Sequence, residues 1–114
     1  MNDERLLEYL FQTIGKENRL KILGFIGEKQ RSVSEIVEYL GVSQPLVSHH
    51  LKTLRKSEVL ITQRNGPFIY YSLKDTRLLD VLGFFLEIAY LMNGERKDEP
   101  MFTCPAKLNE NNSR

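Results

Sequence analysis

The stretch VSQPLVSHHLKTLRKSEVLITQRNGPFIYYSL, residues 42–73, decides how this chain folds. It reads as a turn, a basic amphipathic helix and a β-hairpin. The spacing predicts a helix from about Gln44 to Ser57. Ser43 can cap it, and Pro45 is tolerated in a first turn, where its missing N–H would have had no helical partner. At 100° per residue, Val47, Leu51 and Leu54 share one stripe, with His50 at its edge. Pro45, His49, Lys52 and Lys56 fall on the opposite side. Gln44, Ser48 and Arg55 flank that side on one edge, and Leu46 and Thr53 on the other. Asn65-Gly66 then signals a hairpin, because both residues tolerate positive φ. Strands are expected over Leu60–Arg64 and Phe68–Leu73, whose β-branched and aromatic side chains suit a pleated surface. Pro67 implies a slightly longer or distorted loop.

Upstream, Ser32 and Glu35 have the Ser-x-x-Glu spacing of a capping box. A helix from there to Leu40 turns Ile36, Val37 and Leu40 inward, and Gly41 ends it. Two helices joined by about three residues with a glycine in the turn match a helix-turn-helix. A preceding helix, Glu17–Ile26, faces Leu20, Leu23 and Ile26 inward and stops at Gly27. The first helix, Asp3–Ile14, is capped by Asn2 or Asp3 and carries two apolar rows: Leu6 with Leu10, and Leu7 with Phe11 and Ile14.

Downstream, a helix over Thr76–Met92, with Asp75 as candidate cap, also carries two stripes. One is Leu78, Leu82, Phe85, Ala89 and Met92; the other is Val81, Phe84, Ile88 and Leu91. A helix apolar nearly all round must be covered on most sides. A second copy of the first and last helices would cover it; a central core helix in a monomer is the other reading. The fold class expected is mostly α with a β-hairpin. Residues 1–92 are expected to form one helix-turn-helix domain that also carries the surface for pairing with a second copy. Residues 93–114 turn polar and read as a flexible tail, whose Met101, Phe102 and Leu108 could dock on the body.

At 114 residues and 41% apolar content the chain can bury a modest core, and a partner subunit would help its stability. Its net charge of +1 is unevenly spread. Residues 1–40 carry six basic and seven acidic side chains, and residues 75–114 carry five and seven. Residues 41–74 hold Lys52, Arg55, Lys56, Arg64 and Lys74 against Glu58 alone. The excess positive charge lies on the amphipathic helix and hairpin, where duplex DNA would be met by a helix in the major groove and a hairpin on the flanking backbone. Cys104 is the single cysteine, which excludes a disulfide framework and suits a cytoplasmic chain. No leader sequence is visible, and the longest apolar run, Val81–Met92, contains Glu87 and is too short for the ~20 residues that span a bilayer.

The run from about Glu17 to Tyr90 resembles the ArsR/SmtB family of winged-helix repressors. The resemblance is carried by Glu17-Asn18-Arg19-Leu20-Lys21-Ile22-Leu23, by Val33-Ser34-Glu35-Ile36, by Val42 to Arg55 and by Tyr70-Tyr71-Ser72-Leu73. It implies a winged helix-turn-helix with about five helices and a two-stranded wing, a homodimer through its first and last helices, and repression from a palindromic operator in double-stranded DNA. On that likeness Leu6, Leu7, Leu10, Phe11, Leu78, Leu82, Phe85, Ala89 and Met92 form the dimer interface. Gln44, Ser48 and His49 are candidate base readers, with Pro45 beside them. Lys52, Arg55 and Lys56 are phosphate candidates, and Arg64 would meet a minor groove or phosphate from the wing. Each of these could instead be an ordinary solvated side chain. His50 is expected to hydrogen-bond inside, and Ser43 to serve as a cap.

Relatives that sense metal use cysteines on the third helix or carboxylate and imidazole on the last. Here those positions are Ser32, Ser34 and Val37, and Asp75, Arg77, Ile88 and Leu91. Asp75 alone could coordinate, and one carboxylate is not a four-ligand site, so no metal or cofactor is expected. Relatives often follow the wing glycine with basic residues; Pro67-Phe68 stands here instead. An inducer is open: redox chemistry at Cys104, a small apolar ligand among Tyr9, Phe11, Phe84, Phe85 and Tyr90, or none. An enzyme is not expected, because no nucleophile–base pair, phosphate loop or metal spacing occurs. The rival class is a winged-helix module for protein contacts, whose basic face would meet an acidic partner.

Overall fold

The computed structural model describes residues 2–94 and 101–103. The element order is α1 (Asp3–Ile14), α2 (Glu17–Ile26), β1 (Arg31–Ser32), α3 (Val33–Leu40), α4 (Gln44–Lys56), β2 (Leu60–Asn65), β3 (Phe68–Leu73) and α5 (Arg77–Asn93). The chain divides into two compact units at Lys74/Asp75.

In the first unit, Asn2 Oδ1 caps α1 by accepting from the Arg5 backbone N–H at 2.9 Å. The Ser32–Glu35 capping box is present in both directions: the Ser32 N–H donates to the Glu35 carboxylate at 3.0 Å, and the Glu35 N–H donates to Ser32 Oγ at 3.3 Å. Ser32→Ala removes one half of that exchange and is expected to cost about 1 kcal/mol of stability, read by urea unfolding. Gly41, at φ 68, makes the left-handed step between α3 and α4 that a side chain would strain.

The core is built from Ile22, Leu23 and Ile26 of α2, Ile36 of α3, Val47, Leu51 and Leu54 of α4, and Leu60 of β2, all almost fully buried. This corrects the inward face expected for α2. Leu20 is only half-buried, and Ile22, unassigned from periodicity, is fully buried. The reason is that α2 packs on α3, α4 and β3 at once, so its buried arc is wider than a single stripe. Val37 and Leu40 are likewise half-buried, leaving Ile36 as the core residue of α3.

The two-stranded wing is present, and a short third strand, not expected from the sequence, joins it in the order β1-β3-β2, all antiparallel. Arg31 and Ser32 pair with Tyr71 and Tyr70. The hairpin turn is displaced by one residue and is tight, not the longer or distorted loop expected at Pro67. Asn65 pairs with Phe68, so Gly66 and Pro67 are the central residues, and Gly66 carries the positive φ of 64°. Proline explains the shift. A turn centred on Asn65-Gly66 would need an N–H at residue 67 to close it, and Pro67 has none. Moving the turn by one lets Phe68 sit at the closing position and places glycine first, as a type II′ turn requires.

A Schellman motif carries the chain from α4 into the wing. The Val59 N–H donates to the Leu54 carbonyl and the Glu58 N–H to the Arg55 carbonyl, both at 3.0 Å. Glu58 occupies the position usually held by glycine, at φ 63°, and its carboxylate pairs with Lys74 Nζ at 2.7 Å. Val59 and Leu54 are both buried, which supplies the apolar contact of the motif.

In the second unit α5 starts at Arg77, one residue later than expected. Thr76 is its N-cap and makes no side-chain capping bond. Asp75 Oδ1 instead accepts from the Arg77 backbone N–H at 3.0 Å, while the Arg77 guanidinium pairs with the same carboxylate and holds its pKa down at about 2. Leu82 and Gly83 are buried, whereas Val81, Phe85, Ile88, Leu91 and Met92 are exposed. Gly94 closes the helix. Met101 is exposed and Phe102 half-buried; residues 95–100 and 104–114, with Cys104 and Leu108 and most of the expected tail, lie outside the described residues.

Candidate nucleic-acid interface

The candidate face is the outer side of α4. Ser43 Oγ accepts from the Leu46 N–H at 3.3 Å, so the hydroxyl acts as a cap. Pro45 sits in the first turn. Burial of Val47, Leu51 and Leu54 then fixes the rotation of the helix, with all three at most 1% exposed. That rotation turns Gln44, Pro45, Ser48, His49, Lys52, Arg55 and Lys56 to solvent together. Thr53, expected near this face, is half-buried and donates its hydroxyl to the His49 carbonyl.

Among the described residues, no side-chain hydrogen bond or ion pair engages Gln44, Ser48, Lys52, Arg55, Lys56 or Arg64. Their polar groups face water and are free to meet a ligand. The single acid of residues 41–74, Glu58, is already tied to Lys74, so no carboxylate on this segment competes for the cations of α4. Arg64 lies near the wing tip, exposed, across from Ile69; Phe68 beside it is 58% exposed.

His50 behaves as expected of a core-edge residue. Its Nδ1 accepts from Arg19 Nε at 3.1 Å. The partner was not foreseen. Arg19 is 9% exposed and lies on the inner side of α2 with Ile22 and Ile26. The signal available was its position: an arginine three and seven residues before two core isoleucines must find acceptors inside.

At the positions where metal-sensing relatives carry ligands, the Ser32 hydroxyl is committed to the capping box and the Asp75 carboxylate to Arg77. Among the described residues no group of three or more His, Cys, Asp or Glu side chains comes together. His49 and His50 have ring centroids 5.7 Å apart with planes tilted by 56°. No helix among the described residues is long and apolar enough to cross a membrane.

A sequence model of the family described as "Bacterial regulatory protein, arsR family" matches residues 16–62, which span α2 through the start of the wing. The transcriptional repressor SdpR of Bacillus subtilis is 38% identical over 77 residues, covering 68% of this chain and 86% of that relative. The chain belongs to the ArsR family of DNA-binding transcriptional regulators. A probable mercury resistance operon repressor of Streptomyces lividans is 38% identical to this ArsR-family chain over 72 residues, though the match spans only 58% of that relative. Among solved structures, the transcriptional repressor BigR of Xylella fastidiosa superposes with a TM-score of 0.65 at 26% identity, covering 77% of this chain and 96% of that one. NolR of Sinorhizobium fredii gives 0.67 at 26% identity, covering 77% and 93%. These neighbours confirm the winged helix-turn-helix expected for this ArsR-family chain.

Proposed function

We propose that this protein is a cytoplasmic homodimeric repressor, without catalytic activity, that binds a palindromic operator and inserts α4 of each copy into a major groove. The observation that carries this reading is the outer face of α4. Seven exposed side chains, three of them cationic, lie on one side of a helix whose other side is locked into the core. Gln44, Ser48 and His49 sit toward the helix start, where short polar groups approach base edges. Lys52, Arg55 and Lys56 follow and would contact phosphate, with Arg64 on the wing.

Dimerisation is proposed from the apolar side chains α1 leaves in solvent. Leu6 and Leu7 are 56% and 51% exposed, with Phe11 beside them. On α5, Phe85 and Met92 are exposed and Leu78 and Ala89 half-exposed. Leu82 is already buried in the single chain, so the interface there would be led by its neighbours. The metal-ligand positions of related repressors hold side chains that are non-coordinating or already paired, and we read the protein as operating without bound metal.

Substitutions on α4 separate the proposed roles. Gln44→Ala is expected to relax preference at one base pair by roughly 1–3 kcal/mol, seen by comparing affinities for operator variants. Lys52→Ala is expected to weaken every duplex alike and to lower the salt slope of binding by about 1. Equal losses on all sequences for Gln44→Ala would remove it as a base reader.

A further inference from the structure

We infer that Arg19 is the positioning residue of the DNA-reading helix, and that it holds α4 through a bond to His50 that releases when His50 takes a proton. The guanidinium spans three elements. Nη1 donates to the Thr13 carbonyl in the last turn of α1 at 2.9 Å, and Nε donates to His50 Nδ1 in α4 at 3.1 Å. Arg19 itself belongs to α2 and is buried to 9% exposure. One rigid, planar group therefore ties the end of α1 to the middle of the helix proposed above to read DNA.

The chemistry of the two partners fixes the protonation state. A guanidinium only donates, so Nδ1 of His50 must present a lone pair, and the neutral ring carries its proton on Nε2. A proton on Nδ1 removes the acceptor and sets an imidazolium 3.1 Å from a guanidinium. The charged or titratable groups acting on His50 are Arg19, from α2, and His49, its neighbour on α4; neither is an acid that could compensate. From α1 comes the Thr13 carbonyl, which is bound to Arg19. Burial first, then Arg19 and His49, push the His50 pKa below its ordinary value of 6.5. A folded-state value below the unfolded one means the stabilisation is fully present above about 6.5 and is lost as pH falls through the lower, folded-state value. His49 is exposed on the outer side of α4, with its ring centroid 5.7 Å from that of His50. Substitution of His50 separates the two.

The test begins without DNA. Long-range nitrogen–proton NMR of the full chain should show His50 as the Nε2–H tautomer near neutrality, titrating below 6.5, and Arg19→Met should raise that midpoint. Anisotropy follows, with a labelled duplex recovered from a random pool by selection. The unaltered protein should hold its affinity down to about pH 6.5 and lose about tenfold as pH falls through the His50 midpoint that NMR gives, as expected for breaking one charge-assisted bond. His50→Gln keeps an acceptor that does not titrate, so its affinity should stay flat over that range. A His50 ring protonated on Nδ1 near neutrality, or a His50→Gln protein that loses affinity in acid as the unaltered one does, overturns the inference. A lock that titrates as expected while affinity ignores pH overturns the positioning role. Failure to bind any duplex at any pH overturns α4 as the reading helix and the inference with it, leaving the NMR result as a description of packing alone.

Discussion

A chain carrying Leu6→Glu and Leu7→Glu is expected to sediment as a monomer and to bind its operator at least about a hundredfold more weakly, because two linked half-site contacts exceed one by roughly 10²–10⁴. Both leucines are more than half exposed in the single chain, yet the helix that carries them is well capped and ends in the core at Ile14. Monomeric proteins seldom leave neighbouring large apolar side chains in water without a use for them. Burying the half of each that is still exposed against a second copy would stabilise the pair by roughly 0.8–1.5 kcal/mol per side chain. The substituted positions face solvent, so circular dichroism and melting of the monomer should change little. A variant that stays dimeric, or a monomer that binds the operator with full affinity, would show that α1 is not the interface.

Leu54→Ala has the largest effect expected on stability. Leu54 is completely buried, lies on the inner stripe of α4, and is the residue whose carbonyl receives Val59 in the turn toward the wing. Truncation removes transfer free energy and leaves a cavity, for a total of about 2–5 kcal/mol. A small domain commonly has about 5–15 kcal/mol in all, so the variant should unfold at much lower urea with an unchanged slope. Since the cavity lies under α4, the helix proposed to meet DNA, affinity should fall as well, even where the protein is still folded. A loss below about 1 kcal/mol would mean that this part of the core repacks easily.

Much of the architecture was legible in the residues, and the misses have physical causes. Helix boundaries came through because local chemistry sets them: Asn2, Ser32 and Ser43 each cap the helix they precede. The inner face of α4 was legible because one stripe packs on one core. The face of α2 was not, because that helix is buried on several sides and its periodicity blurs. β1 has two residues, too few for any alternation, and it lies hidden in the cap of α3. Pro67 shifts the hairpin turn by one residue and keeps it tight, where a longer or distorted loop was expected, because its missing N–H is accommodated inside the turn. The exit from α4 carries no glycine to announce it; Glu58 adopts the left-handed step with Lys74 alongside. Of the candidate DNA contacts, all eight are solvent-exposed, and seven lie on α4. Arg19 escaped notice because a charged residue in an apolar stripe reads as surface until its acceptors, a carbonyl thirty-seven residues from the partner histidine, are placed in space.

The most direct measurement is sequencing of duplexes that the purified full chain selects from a random pool, at a salt concentration that suppresses nonspecific binding. Two copies of α4 acting together predict an inverted repeat whose half-site centres lie about one helical turn, ~34 Å, apart. A recovered pool with no shared sequence, or with a single unrepeated half-site, would contradict the account.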